Sequence, residues 1–214
     1  MPIYNGIEFI EDSVSSIINQ TFERWELIIG INGHPPLSEV YFAAKQYELQ
    51  NNKIKVLDLS DIKGKSNALN VMVQYCKYNY VALLDVDDIW LPEKLHAQSF
   101  YLNVYDVIGT KCVYFGDTEP IVPEIPEGDL SNFNFFSFNP VINSSAIIRK
   151  ELCCWVENGV EDYDLWLHLK KSGKQFYNCR DVLVKHRIHC ASAFNAQGNN
   201  LKVADLKRSY LHHE

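Results

Sequence analysis

The sequence predicts an α/β protein, a single domain whose mostly parallel central sheet is flanked by helices. Three observations carry this prediction. Apolar runs of strand length alternate with segments of helical periodicity over the first hundred residues, which is typical of parallel βαβ units. The chain of 214 residues is long enough for one full hydrophobic core. Hydrophobic residues make up 47% of it and charged residues 22%, which excludes a disordered protein.

The predicted elements of the first half follow in order. After a turn at the start, Ile7 to Gln20 has apolar residues at helical spacing and acidic residues near its beginning, which predicts a helix. Trp25 to Ile31 is a short apolar run that ends at a loop of strong breakers, which predicts a strand. By the same criteria a helix is predicted at 38–50, a strand at 54–57, a helix from the KGKSN segment to Cys76, a strand at 80–84 and a helix opening at 91–94.

The second half is less regular. Strands are predicted at 107–115, 141–149 and 182–189, and helices at 160–172 and 203–213. Residues 117–139 form a long irregular stretch rich in proline and phenylalanine. Long irregular segments are often functional, so this stretch is predicted to be a mobile loop that contacts a substrate.

The apolar run at 80–84 leads directly into three carboxylates, Asp85, Asp87 and Asp88. Such a run is typical of a strand buried on both faces, and ligands bind at the carboxyl ends of central strands in α/β proteins. On an extended strand Asp85 and Asp87 point to the same side. Two adjacent carboxylates suit Mg²⁺ or Mn²⁺, with substrate phosphates completing the shell. The alternative is a surface turn in which Asp88 caps the following helix.

Charge and cysteine content limit the possible partners and compartments. The net charge is -7 and no basic stripe is visible, which argues against general nucleic-acid binding. An anionic substrate would therefore need a metal ion or local lysine and arginine. No apolar run approaches the ~18 residues of a membrane span, so no transmembrane segment is expected. The six cysteines form no CxxC pair, which favours mostly buried, reduced thiols in a soluble, cytoplasmic protein.

Seven segments resemble, in order and spacing, the family-2-type glycosyltransferases of the GT-A (nucleotide-diphospho-sugar transferase) fold. They are PIYNG, SIINQTFERWELIIGING, KGKSNALN, VALLDVDDIW, NSSAIIRKE, VEDYDLWLHL and HRIHCAS. The resemblance implies one GT-A domain over 1–214, with a nucleotide-binding half at 1–100 and an acceptor and catalytic half at 101–214. The compact chain is also similar to small enzymes of this kind in large DNA viruses, which would place it in the host cytoplasm.

The sequence departs from this family at two places. The first strand before the YNG turn is shorter than usual. An Asp pair usually follows the second strand, and Ile31-Asn32 stands in its place. Asn32 can still offer one donor and one acceptor to a base or ribose.

The resemblance implies metal-dependent transfer of a hexosyl or deoxyhexosyl group from a UDP-sugar to a hydroxyl of a glycan or glycoprotein, with inversion. Asp87, Asp85 and His189 are the implied ligands of Mn²⁺ or Mg²⁺. Asp162 is the implied general base, and Glu161 positions a substrate. The implied donor-binding residues are Pro2, Ile3, Tyr4, Asn32, Lys63, Lys65, Asn70, Asp85, Val86, Asp88 and Arg187, and the implied acceptor-binding residues are Trp90 and Ser145.

Plainer interpretations stay open for several of these residues. Glu161 and Asp162 would also suit the N-terminal dipole of a helix, and a lone strand histidine is often structural. Lys63 and Lys65 also fit an exposed basic turn. The competing functions are a DxD-dependent phosphatase, a nucleotidyltransferase and a non-catalytic carbohydrate-binding module.

Overall fold

The computed structural model describes residues 1–190 and 199–211 and contains two sheets flanked by helices. The strands are β1 (Pro2–Ile3), β2 (Leu27–Asn32), β3 (Ile54–Leu59), β4 (Tyr80–Ala82), β5 (Ile89–Trp90), β6 (Val107–Gly116), β7 (Gly128–Asp129), β8 (Ile147–Arg149) and β9 (Phe176–Ile188). The helices are α1 (Ile10–Ile18), α2 (Glu39–Gln50), α3 (Lys65–Met72), α4 (Lys94–Ser99), α5 (Glu161–Lys171) and α6 (Asn199–Leu211).

The α/β class is confirmed, and the strand pairing divides the chain into two parts. The first sheet has the order β1-β2-β3 and is parallel throughout. The second has the order β4-β8-β6-β9-β5, with β7 beside β9. In it, β6 and β9 pair in parallel and the other pairs are antiparallel. The parallel pairing predicted from the early strand–helix alternation is therefore concentrated in the first sheet.

The strand predicted at 80–84 is shorter than expected and lies at the end of the second sheet. It ends at Ala82, and its three residues are half-buried. The carboxylates that follow lie on a turn, closed by the backbone N–H of Asp88, which donates to the carbonyl of Asp85 over 3.1 Å. Because the chain turns between them, Asp85 and Asp87 do not share one strand face.

The observed boundaries of three other elements also differ from the predicted ones. The strand predicted at 141–149 is interrupted by a 3-10 turn at Asn143–Ser145, so that only β8 remains extended. Strand β9 begins six residues before the predicted start at 182, because it continues alongside β6. Helix α6 begins at Asn199, ahead of the predicted start at 203, and the final residues predicted for it, 212 and 213, lie outside the described residues.

The helices pack through large apolar side chains. Helix α5 buries Trp166 completely, and its indole N–H donates to the carbonyl of Val141 over 3.2 Å. Leu165 and Leu169 join it in the same apolar cluster as Phe176 of β9. Full burial of a side chain of this size contributes about 1.5–3 kcal/mol. The middle of α5 is thus held against the second sheet.

The described residues contain no helix that is both long and apolar enough to cross a bilayer. All six cysteines lie within the described residues and none is in a disulfide. Cys112 and Cys179 are buried, whereas Cys154 and Cys190 are exposed. Fewer of the six thiols are therefore buried than expected.

Lys94 is a fully buried lysine in the core beneath β5. Its ammonium nitrogen donates to Gln98 Oε1 over 2.7 Å and lies 4.0 Å from the centre of the Trp90 ring. Burial lowers the pKa of Lys94 well below its ordinary value, and the nearby Cys179 opposes this only in part. Lys94 therefore binds a proton less readily in the folded protein than in the unfolded chain.

This buried lysine should make the free energy of unfolding depend on pH. Between the lowered pKa and the unfolded value of about 10.4, the unfolded chain binds the additional proton, so stability rises with pH by up to about 1.4 kcal/mol per unit. Lys94→Met should remove this slope, and denaturant titrations between pH 8 and 10 would measure it. The exposed Lys171→Met is the matched control and should retain the wild-type slope. Equal slopes in all three proteins would contradict the prediction.

Candidate active site

A cleft of about 1470 Å³ lies where the two sheets meet the start of α5. This volume is large enough for a nucleotide together with a second substrate. The predicted site residues that line it are Pro2, Tyr4, Asn32, Lys63, Lys65, Asp85, Val86, Asp87, Glu161, Asp162 and His189. The structure thus gathers into one cleft residues that are spread over almost the whole chain.

Lys65 connects the two acidic groups of the cleft. Its ammonium nitrogen lies 2.7 Å from Asp85 Oδ1 and 3.7 Å from Glu161 Oε1. Burial opposes the charge of Lys65, but the two carboxylates outweigh it and raise its pKa above the ordinary value. Asp85 also accepts a hydrogen bond from the side-chain amide of Asn143 over 2.9 Å. Burial likewise opposes ionisation of Asp85, and Lys65 outweighs it, so the pKa of Asp85 is lowered.

Asp87 faces the end of β9. Its Oδ2 lies 2.9 Å from His189 Nε2, and the His189 ring is 5.3 Å from that of Phe9, measured between centres. Burial and the charges of Asp85 and Asp88 raise the pKa of Asp87. Asp87 and His189 are therefore neighbours, as the sequence predicted. The last two residues of the HRIHCAS segment, at 191 and 192, lie outside the described residues.

Asp162 occupies the first turn of α5, on the opposite wall of the cleft. The side-chain amide of Asn139 donates to its Oδ2 over 3.0 Å. Burial, followed by the charge of Glu161, raises the pKa of Asp162 above the ordinary value. A partly buried carboxylate with a raised pKa is a stronger base than an exposed one.

Asn32 and Tyr4 form a compact wall at the end of β1 and β2. Asn32 is 3% exposed, and its Oδ1 has no hydrogen-bond partner among the described residues. The Tyr4 ring is 58% exposed and lies over Gly33, where an added Cβ would come within 2.9 Å of it. A buried acceptor without a partner costs about 1–3 kcal/mol.

Two predicted donor-binding residues instead build the scaffold behind the cleft. Asp88 is 1% exposed and accepts hydrogen bonds from the backbone N–H of Arg187 and from His186 Nδ1. The Arg187 guanidinium lies between the rings of Phe9 and Phe115 and donates to the carbonyl of Asp87 and to a carboxylate of α1. The Asp88 carboxylate is buried, the Arg187 side chain is partly buried, and both are already bonded within the protein, so their contact with the donor stays a prediction.

Four further residues that were predicted to contact a substrate are buried or bonded within the protein. Trp90 is 5% exposed, and its indole N–H donates to the carbonyl of Ser144. Ser145 is completely buried, with its hydroxyl bonded to the carbonyl of Ile142. The side chain of Ile3 is buried in the core. The side-chain amide of Asn70 is hydrogen-bonded to the backbone of Trp155, in the segment before α5. None of these side chains lines the cleft. Val86 does line it, but its side chain packs against Gly6.

Sequence analysis missed two residues that hold the predicted site in place. Asn143 binds Asp85, and Asn139 binds Asp162. Asn143 is the first residue of the NSSAIIRKE segment, so this motif contains a cleft residue that the sequence prediction did not name. Asn139 lies at the end of the irregular stretch 117–139, and Ser137, Phe138 and Asn139 line the cleft. This end of the predicted substrate loop is therefore at the cleft.

Comparison with protein families gives a match to the model of glycosyl transferase family 2 over residues 1–153. Among curated proteins, the O-antigen biosynthesis glycosyltransferase WbnJ of Escherichia coli is 29% identical over 201 residues, covering 88% of this chain and 78% of that protein. The UDP-Glc:alpha-D-GlcNAc-diphosphoundecaprenol beta-1,3-glucosyltransferase WfgD of Escherichia coli is 27% identical over 220 residues, covering 98% and 82%.

Two solved structures resemble the fold. The S. aureus TarS fragment 1–349 in complex with UDP superposes with a TM-score of 0.73 at 16% identity and covers 99% of this chain. The mannosyltransferase PcManGT of Pyrobaculum calidifontis, in complex with GDP-Man and Mn²⁺, superposes with a TM-score of 0.71 at 14% identity and covers all of it. This chain spans 64% of the first and 63% of the second. At these identities the likeness concerns the fold.

Proposed function

This chain belongs to glycosyl transferase family 2, and from that premise we propose that it transfers a hexosyl or deoxyhexosyl group from a UDP-sugar to a glycan hydroxyl, with inversion at the anomeric carbon. One observation carries the proposal. Lys65 bridges Asp85 and Glu161, so the DxD turn and the acidic start of α5 face each other across one cleft. Family membership decides against the phosphatase, the nucleotidyltransferase and the non-catalytic module.

The wall of Asn32 and Tyr4 supports a uracil base. An amide offers one acceptor and one donor side by side, which matches the N–H and carbonyl on the edge of uracil. Rotation of the Asn32 side chain would bring its buried, unpartnered Oδ1 to the base. The exposed face of Tyr4 is available for stacking on the base, and base–aromatic stacking contributes about 1–3 kcal/mol. TarS, whose fold is similar, is known in complex with UDP.

The residues of the cleft fit a divalent cation. A carboxylate oxygen of Asp87 and a ring nitrogen of His189 are adjacent, and both are accepted ligands of Mn²⁺. Asp85 is occupied by Lys65 and Asn143, and no group of three acidic, histidine or cysteine side chains among the described residues is arranged to hold a metal. Two protein ligands are usual where substrate phosphates complete the shell. When bound, the cation would neutralise the charge of the leaving diphosphate.

We assign proton transfer to Asp162. Its carboxylate accepts the proton of the acceptor hydroxyl as the acceptor oxygen forms a bond to the anomeric carbon. The bond from that carbon to the diphosphate oxygen breaks, and its electron pair leaves with UDP. The raised pKa of Asp162 strengthens it as a base, and Asn139 orients the carboxylate. One displacement by one base inverts the anomeric centre.

The outer part of the cleft supports a carbohydrate acceptor. Phe138 is 45% exposed, and Asn139, Asn199 and Asn200 line the same cleft. Aromatic faces pack against the apolar faces of sugar rings, and amides bind hydroxyl groups. A glycan or a glycoprotein would present both features. The nucleotide-binding and acceptor halves assigned to 1–100 and 101–214, the viral origin and the cytoplasmic location all stay predictions.

A thermal-shift measurement tests the donor. UDP with Mn²⁺ should raise the melting temperature more than UDP with EDTA, and more than GDP with Mn²⁺. A ligand present at a hundredfold excess over its Kd stabilises the folded protein by about 2.7 kcal/mol. In a protein of this size, each kcal/mol raises the melting temperature by roughly 2–4 °C. A larger shift with GDP would overturn the assignment of uracil as the nucleobase of the donor. No shift with any nucleotide and Mn²⁺ would overturn the metal-dependent donor site.

A further inference from the structure

The segment before α5 is joined to α3 by several hydrogen bonds. Glu157 Oε2 accepts from the backbone N–H of Ser66 over 2.9 Å, and the carbonyl of Val156 accepts from the Ser66 hydroxyl over 3.1 Å. Next to them, the Asn70 side chain both accepts from and donates to the backbone of Trp155. Helix α3 belongs to the donor side of the cleft and the segment leads to Asp162, so these bonds join its two walls.

Glu157 takes the place of a missing helix cap. Gly64 is the N-cap residue of α3 and offers no side chain to the first turn. Its φ is +89°, and an added Cβ would overlap the Glu157 carboxylate. An N-cap side chain normally accepts from the second or third helical N–H, and Ser66 provides the second. A carboxylate at this end of a helix is also favoured by the helix dipole.

Lys65 lies next to the same contact. Lys65 is the first residue of α3, directly after the Gly64 cap, and its ammonium group reaches Asp85 and Glu161. On the other side, Asn158 ties the segment to α5: its Oδ1 accepts from the backbone N–H of Val160, and its amide donates to Asp164. Hydrogen bonds therefore hold both Glu157 and Asn158, the two residues that lead towards the start of α5.

We propose that Glu157 is a positioning residue for sugar transfer. By capping α3 it fixes the start of α5, and with it Asp162, over the donor side of the cleft. This inference rests on the proposed role of Asp162 as the base. Loss of the cap lets the base move relative to the anomeric carbon, and misplacement by about 1 Å can cost around a hundredfold in rate. Donor binding is unaffected, because Glu157 does not line the cleft.

Two substitutions of Glu157 test the proposal. Glu157→Ala removes the acceptor for Ser66, whereas Glu157→Gln keeps an acceptor oxygen. Glu157 is largely exposed, so both variants should fold. We expect Glu157→Ala to lower kcat about tenfold to a hundredfold with the KM for the donor and the UDP-dependent thermal shift unchanged. Glu157→Gln should restore kcat to within about threefold of wild type. The exposed Glu151→Ala is the control and should behave as wild type.

Three outcomes would overturn the proposal: an unchanged kcat in Glu157→Ala, a parallel rise in the donor KM, or no recovery in Glu157→Gln. Hydrogen exchange provides a test that does not depend on activity. The amides at the start of α5, including that of Asp164, should exchange about tenfold faster in Glu157→Ala than in wild type. If wild type transfers no sugar, the proposed function fails, and unaltered exchange in Glu157→Ala would separately refute the positioning role.

Discussion

Replacing Asp162 with Asn should abolish most of the transfer while leaving the donor site intact. A general base typically contributes about 10²–10⁴ in rate, so kcat should fall by that factor. The amide cannot take up the acceptor proton, yet it has nearly the same shape and retains an oxygen to accept from Asn139. The UDP-dependent thermal shift should therefore match that of wild type. Transfer is best measured from the UDP released in the presence of acceptor.

The pH dependence of the wild-type enzyme gives a second test of the same residue. The base must be ionised, and burial together with Glu161 raises the pKa of Asp162. The value of kcat/KM should therefore fall as the pH drops through a pKa above the ordinary value of about 3.9. Asp181→Asn, at an exposed position of β9, is the matched control. It should retain both the wild-type activity and the fall of kcat/KM at low pH. Full activity in Asp162→Asn would refute its role as the base.

Replacing Asp87 with Asn should remove the metal-dependent part of nucleotide binding. The carboxylate is one of two adjacent ligands that fit Mn²⁺, and an amide is a much weaker ligand for a divalent cation. The additional thermal shift that Mn²⁺ gives with UDP should disappear, and kcat/KM should fall by at least about a hundredfold, comparable to the loss of a major electrostatic contact to the transition state.

The stability of the ligand-free protein separates loss of the metal from misfolding. Asp85, Asp87 and Asp88 lie within four residues, so removing one charge relieves repulsion. Asp87→Asn without ligand should therefore melt at the wild-type temperature or above it. The exposed Asp61→Asn is the control and should keep the Mn²⁺-dependent shift. A lower melting temperature together with a normal shift would contradict the assignment of Asp87.

The local prediction worked best where one segment carries its own pattern. Helix α5 was predicted at 160–172 and is found at Glu161–Lys171, because its apolar residues repeat at helical spacing and its acidic residues lie in the first turn. The strand before the carboxylates was predicted too long. Its apolar residues Leu83 and Leu84 are buried as expected, but they belong to the segment entering a turn, and burial by itself does not distinguish the two.

The sequence by itself determined the α/β class, the acidic cluster after β4, the acidic start of α5 and the resemblance that predicts one site from them. These follow from residue types and short spacings. Only the tertiary structure decided which carboxylate faces which partner. Asp88 meets the backbone of Arg187 from 99 residues away, Asp87 meets His189 from 102, and Ser66 meets Glu157 from 91. Periodicity describes the faces of one element, and such pairings depend on how separate elements pack. For that reason two neighbouring aspartates of one motif lie in different places: Asp87 lines the cleft, and Asp88 is buried in the scaffold behind it.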